Sequence, residues 1–344
     1  MMIQEELQAT IRELVQPGKG LLAADESHPT IAKRFKAVGV ESTETKRQEY
    51  RSIIFSAPGL NEHISGVILF EETLQQQNLE GVPMPELLTR QGIIPGIKVD
   101  KGKGPLAGAA DEEVTFGLDG LEARLSAAKS LGARFAKWRC VLHISDCLPS
   151  ELGIGANAET LARYAAICQS LGIVPIIEPE VLIDGAHSIE RAAEVGEQVI
   201  RGVFDALTLH RVKLETMILK PSMITPGKES PNATPEQVAD LTIRTYRRCV
   251  PAAVPGIFFL SGGQRPEEAT ANLNAMNQYA NLPWTMSFSY SRAMQEPAQQ
   301  AWAGNIANLG AAQRAMAKRA RLNGAAALGS YSSGMENEDE SDTL

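Results

Sequence analysis

No apolar run in this sequence approaches the roughly 18 residues that a membrane-spanning helix requires, so no membrane partner is expected. The first fifteen residues, MMIQEELQATIRELV, are acidic and amphipathic, with neither a basic leading region nor an apolar stretch. A secretory signal is therefore not expected. Cysteine is scarce, with four in 344 residues, which excludes a disulfide scaffold and points to reduced thiols in the cytoplasm. The five histidines are scattered along the chain, unlike the clusters on which metal-activated carbonyl chemistry relies. Positive charge is not in excess either. With 33 basic and 41 acidic residues the formal charge is −8, and a nucleic-acid partner gains no electrostatic support. Local cationic pockets for a small anion remain open. Finally, no G-x-G-x-x-G follows the first strand-like run, so an open dinucleotide-binding sheet lacks its usual fingerprint.

What the chain does contain is a recurring pattern. Eight short apolar runs read as buried strands: residues 18–27, 65–73, 92–100, 133–142, 172–181, 215–223, 256–263 and 284–292. Between them lie segments such as LDGLEARLSAAKSLG, ETLARYAAICQSLG and SIERAAEVGEQVIRGVFDALTLH, whose apolar residues recur at spacings of three and four. That is the mark of amphipathic helices. Gly132 and Gly172 fall where such helices would end. Eight alternating βα units predict an α/β fold, the (β/α)8 TIM barrel, as a single domain over residues 1–330. Residues 331–344 read as a flexible acidic tail; MENEDESDTL carries five acids and no base.

Barrel enzymes place their chemistry at the C-terminal ends of the strands, and polar residues collect there in this sequence. Seven of the eight runs contribute: Asp25 from the first, Lys98 from the third, Lys137 and Arg139 from the fourth, Glu178 and Glu180 from the fifth. Lys220 comes from the sixth, Ser261-Gly262-Gly263 from the seventh, and Ser289, Ser291 and Arg292 from the eighth. Lysine is seldom buried without a partner, and three of these lysines sit in apolar runs. An amine in an apolar pocket beside a second cation is shifted toward its neutral, nucleophilic form. Lys220 fits a Schiff-base nucleophile, with Lys137 as the second cation. Glu178 and Glu180, at i and i+2, share one strand face and suit the acid that carbinolamine dehydration needs. Asp25 can act as a base or cap the next helix, a role it can share with Ser27. Glycines near Arg292 at the ends of strands seven and eight suit a phosphate, and Lys98 with Lys101 and Lys103 suits a second anion or a solvated basic loop.

Cys140, with His143 three and Cys147 seven residues further on, resembles a fragment of a zinc site. Strand alternation puts Cys140 and His143 on opposite faces, and no fourth ligand is evident. No metal is expected.

These motifs resemble a known family, the class I fructose-1,6-bisphosphate aldolases. The similarity covers about residues 10–330 through PGKGLLAADES, GVILFEETL, GIKVDKG, FAKWRCVL, GIVPIIEPE, ILKPSM, FLSGGQ and FSYSRA. The resemblance implies a (β/α)8 barrel, no metal or cofactor, a phosphorylated sugar substrate and a homotetramer. It implies that Lys220 forms the Schiff base, with Glu178 moving protons, Lys137 close by and Glu180 supporting them. Asp25 would take the C4 hydroxyl proton. Ser261, Gly262 and Arg292 would hold the C1 phosphate, while Lys98, Ser27 and Thr30, with Arg34 nearby, would serve the other phosphate end. Arg139 would lie in the sugar pocket. Sedoheptulose 1,7-bisphosphate is a second expected substrate. The alternatives are a Schiff-base aldolase of another sugar or keto acid and a catalytically silent phosphosugar-binding barrel.

The sequence departs from the family pattern at three places. FSYSRA carries Ser291 where the family usually has glycine, and Thr30 replaces a usual serine. Many relatives end in a tyrosine that protonates the enamine, whereas this sequence ends in Leu344 after its acidic run. Either Tyr331 or Glu178 with water must then supply that proton, and Glu178 is the expected donor.

Overall fold

The structure, a computed structural model, describes residues 2–338. Eight parallel strands close into a barrel: β1 Gly20–Ala24, β2 Ile64–Leu69, β3 Ile94–Lys98, β4 Phe135–Leu142, β5 Val174–Val181, β6 Ile218–Leu219, β7 Gly256–Phe259 and β8 Thr285–Tyr290. Each pairs with its neighbours in sequence, and β8 closes on β1 through Leu21 opposite Ser289. Every expected strand is present, and most end two to four residues early, where the polar tips leave the ladder. The run at 215–223 is cut most, its first residues forming a 3-10 turn at Leu214–Thr216.

Alternation along the strands makes two layers. Residues facing outward, among them Trp138, Tyr164 on a covering helix and Phe259, pack the sheet against the helices. Inward residues Leu21, Ile68, Ile94, Phe135, Val174, Ile176, Ile218 and Phe258 fill the barrel floor. The N-terminal helix Ile3–Leu14 adds Leu7, Ile11 and Leu14 to that inner cluster, spaced four and three apart on one face. It plugs the end of the barrel opposite the strand tips. Gly96 makes room for the Phe135 ring: a Cβ there would lie 2.2 Å from it.

The last long helix, Leu309–Ala327, packs on the preceding one, Arg292–Trp302. Beyond it the chain turns into a short 3-10 segment, Ser333–Asn337. Tyr331, expected in a flexible stretch, is held by its backbone N–H to Asn274 Oδ1 at 2.9 Å and by its hydroxyl to Glu336 Oε1 at 3.0 Å. Buried Arg319 grips the same carboxylate with contacts of 2.7 and 2.8 Å. Residues 339–344 of the expected acidic tail lie outside the described residues.

One element has no counterpart in the sequence reading. Lys103–Pro105 and Glu113–Thr115 pair as an antiparallel hairpin after β3. Its strands are three residues long and include Gly104 and Pro105, too short and too turn-like to show a period.

Candidate active site

A cleft of about 970 Å³ opens at the C-terminal ends of the strands. It is lined by all of the expected catalytic and phosphate-binding residues except the alternative donor Tyr331: Asp25, Ser27, Thr30, Arg34, Lys98, Lys137, Arg139, Glu178, Glu180, Lys220, Ser261, Gly262, Ser289, Ser291 and Arg292. Strand register explains the convergence. Lys137 stands beside Lys98 on one side and Ile176 on the other, and Arg139 stands beside Glu178. The backbone N–H of Lys220 donates to Ile177 O at 2.8 Å, which extends β6 into the same ring.

At the bottom of the cleft lies a buried chain of charges. Lys220 Nζ is 3.1 Å from Glu178 Oε1. Glu178 Oε2 is 3.0 Å from Lys137 Nζ, an ion pair without hydrogen-bond alignment, and Lys137 Nζ reaches Asp25 Oδ2 at 2.7 Å. All four side chains are less than a tenth exposed. Burial lowers the pKa of Lys220 from the ordinary lysine value; the Glu178 carboxylate opposes that shift and the Lys137 charge adds to it. For Lys137, burial is outweighed by Asp25 and Glu178, and its pKa is raised. Burial is outweighed again at the two acids. Lys137 and Lys220 hold both Asp25 and Glu178 below the ordinary carboxylate range. The two lysines are thus unequal: Lys137 is a fixed cation, and Lys220 is the amine that gives up its proton more readily.

A second tier surrounds this chain. Arg139 pairs with Glu180, and burial of its guanidinium is outweighed by that carboxylate. Lys98 Nζ contacts Asp100 Oδ1 at 2.6 Å and Asp100 O at 3.0 Å. Lys101 and Lys103, which a solvated basic loop would leave free, pair with Glu71 and Glu113. Ser27, not Asp25, is the N-cap of the helix His28–Ala37, and its Oγ lies 3.1 Å from Thr30 Oγ1. The cap and the buried carboxylate are therefore different residues.

On the far wall, Gly262 and Gly263 adopt φ of 50° and 88° after β7. Those left-handed values suit glycine and bring the backbone up to the cleft. Arg292 donates from Nη2 to Gly263 O, tying the start of its helix to this turn. Ser289 Oγ is buried in the cleft wall with no hydrogen-bond partner among the described residues.

The cysteine and histidine trio does not converge. Cys140 Sγ points outward to Asn157 O at 3.8 Å, and His143 approaches Glu113 at 3.6 Å. Cys147 is exposed, and both cysteines are free thiols.

Four residues at the site escaped the sequence reading: Glu26, Arg51, Asp100 and Gln295. Glu26 follows Asp25, so alternation turns it away from the cleft floor. There it is buried and paired with Arg34 and with Arg51. Asp100 follows Lys98 by two residues, a same-face spacing that is legible in the sequence. Nothing in the sequence marks Arg51 or Gln295.

Comparison with known proteins gives one consistent result. Residues 6–344 match the family model described as fructose-bisphosphate aldolase class-I. The chain is 53% identical over 331 residues to the cytosolic fructose-bisphosphate aldolase 5 of Arabidopsis thaliana, covering 96% of this chain and 92% of that one. It is 50% identical to the cytoplasmic isozyme of spinach, Spinacia oleracea, over 99% of this chain and 96% of the relative. Among solved structures, the Plasmodium falciparum fructose-bisphosphate aldolase, crystallised with TRAP and a small-molecule inhibitor, superposes with a TM-score of 0.94. It shares 49% identity, with 96% of each chain covered.

Proposed function

This chain belongs to the class I fructose-bisphosphate aldolase family, and we propose that it cleaves fructose 1,6-bisphosphate through an imine on Lys220. The observation that carries this reading is the 3.1 Å contact between Lys220 Nζ and Glu178 Oε1, with Lys137 on the other carboxylate oxygen. An ammonium cannot attack a carbonyl. Passing its proton to Glu178 turns Lys220 into the amine and Glu178 into the acid in one transfer, with no change in net charge.

The neutral Lys220 then adds to the C2 carbonyl of the ketose. Glu178 returns its proton to the carbinolamine hydroxyl, which leaves as water, and the iminium remains. Lys137, raised in pKa, stays charged and, by lowering the Glu178 pKa, favours the return of that proton. Asp25, ionised at the cleft floor, takes the C4 hydroxyl proton. The C3–C4 bonding pair moves into the iminium, forming an enamine, and glyceraldehyde 3-phosphate departs as the aldehyde. Glu178, recharged through water with the proton that Asp25 took, protonates C3, and hydrolysis of the resulting iminium releases dihydroxyacetone phosphate and restores Lys220. Each step reverses for synthesis. A protonated imine is a strong electron sink, which removes the need for a metal.

Ser261, Gly262 and Arg292 suit the C1 phosphate, and Ser289 Oγ supplies a free hydroxyl beside them. Lys98, Ser27, Thr30 and Arg34 suit the other phosphate, with Arg139 and Glu180 at the sugar. A ketose with the same C1 end and one more carbon, sedoheptulose 1,7-bisphosphate, fits the same scheme. A homotetramer and a cytoplasmic location belong to this reading, and the cytosolic and cytoplasmic relatives support the location.

Borohydride reduction in the presence of dihydroxyacetone phosphate tests it. The modified peptide is expected to carry the adduct on Lys220, and Lys220→Ala is expected to abolish both trapping and cleavage. Trapping at Lys137 or Lys98 would reassign the nucleophile, and a stable protein that binds sugar phosphates without turnover would favour a silent barrel.

A further inference from the structure

We propose that Ser291 is a positioning residue: its hydroxyl sets Arg34 for the phosphate at the end remote from Lys220, linking the strand-8 turn to the opposite phosphate subsite. This rests on the site reading above and concerns the position where the family usually has glycine.

The backbone at Ser291 has φ −107°, a value open to any residue, so the serine is accommodated without left-handed strain. Its side chain is fully engaged. Ser291 Oγ donates to Glu26 Oε1 at 2.6 Å and accepts from Arg34 Nη1 at 3.0 Å. The same Nη1 reaches Glu26 Oε1 directly. Glu26 cannot yield, because Arg51 Nη2 binds its other oxygen and Gln295 Nε2 donates to Oε1 at 2.7 Å. Arg51 and Gln295 are themselves buried and joined at 3.1 Å. Glu26, Arg51 and Gln295 form a rigid frame, and Ser291 is the clasp between that frame and Arg34.

The consequence lies in what is left of Arg34. One guanidinium nitrogen is fixed by Glu26 and Ser291. Nη2 and Nε have no acceptor among the described residues, while the side chain lines the cleft. A planar guanidinium fixed at one corner presents its remaining N–H groups in a set direction, which suits bidentate capture of phosphate. With glycine at 291, Arg34 Nη1 keeps Glu26 but loses one of two anchors and regains rotational freedom. The turn that carries Arg292 also loses its tie to the β1 end.

The test compares fructose 1,6-bisphosphate with fructose 1-phosphate, which lacks the remote phosphate, in the full chain. Ser291→Ala and Ser291→Gly are expected to raise KM for the bisphosphate about tenfold more than KM for fructose 1-phosphate, the lower end of the scale for one lost hydrogen bond to a charged group. In an Arg34→Ala background, Ser291→Ala is expected to add nothing to that ratio. A loss confined to the thermal midpoint, an unchanged KM ratio, or an effect that persists undiminished without Arg34 would overturn the proposal. Failure of borohydride trapping at Lys220 in the parent protein would instead refute the site reading beneath it.

Discussion

Lys98 and Lys137 stand directly opposite one another on neighbouring parallel strands, yet their ammonium groups go to different acids. Lys98 turns to Asp100 at 2.6 Å and Lys137 to Asp25 at 2.7 Å. Like charges in register repel, and the divergent pairing relieves that repulsion. It also sorts the two lysines: one joins the reacting chain on the cleft floor, the other the rim. Lys98→Ala is accordingly expected to raise KM for fructose 1,6-bisphosphate roughly tenfold, through loss of one charge-assisted phosphate contact. KM for fructose 1-phosphate should rise far less. Steady-state kinetics with both substrates decides it, and equal losses would place Lys98 at the reacting carbons.

Lys137 is expected to govern the pH at which Lys220 reacts. The Lys137 charge lowers the Lys220 pKa, and Lys137 also shares the Glu178 carboxylate that raises it. Lys137→Met removes the repulsion and leaves Glu178 wholly to Lys220, so both changes raise the Lys220 pKa. At a given pH less neutral amine remains. The pH profile of single-turnover borohydride trapping should therefore move to higher pH, and kcat should fall roughly a hundredfold or more, as for loss of a proton-handling group. An unmoved profile would mean that burial alone controls Lys220.

Much of this architecture is legible in the sequence because the strand period and the barrel's placement of chemistry act together. All eight apolar runs form strands, and a polar residue at the tip of such a run faces the mouth. Lys220 and Glu178 are visible on that ground alone. Glu26 is not, since its neighbour Asp25 already accounts for an acid at the tip and its pairing with Arg51 spans 25 residues of chain. Ser291 is visible only as a departure from a pattern; its three polar contacts come from the folded structure. The hairpin at 103–115 is hidden for a different reason, because its lysines imitate a solvated loop until Glu71 and Glu113 are placed beside them.

Gly96 carries a packing prediction. Its missing side chain is the space that Phe135 occupies inside the barrel, and an added Cβ would lie 2.2–2.5 Å from three ring atoms. Phe135 is fully buried and the inner cluster gives it no free direction. Overpacking typically costs about 1–3 kcal/mol, and contact with a fixed ring places Gly96→Ala at or above the upper end. Denaturant unfolding should show a lower midpoint at unchanged slope. A variant as stable as the parent would mean that the ring has room to tilt.

Tyr331 supplies the last prediction, which concerns the proton that reaches C3 of the enamine. Its hydroxyl donates to Glu336 Oε1 at 3.0 Å, and Glu336 is held in turn by both contacts from Arg319. Burial and the Glu336 carboxylate push the phenol up to about 12, away from the range in which a proton is readily given. Tyr331 is also not among the residues lining the cleft. To serve as the donor it must break from Glu336 and leave Arg319 and its carboxylate without the phenol. Glu178, once recharged through water, needs no such movement: it already lies 3.1 Å from Lys220, the proposed site of the enamine. Tyr331→Phe is thus expected to leave trapping intact and to lower kcat by less than tenfold, about 1.4 kcal/mol. Exchange of the C3 proton of dihydroxyacetone phosphate with solvent, followed in deuterated water, reads the step directly. A hundredfold loss of exchange in Tyr331→Phe, with trapping unchanged, would assign the proton to the tyrosine and require the Glu336 latch to open in each turnover.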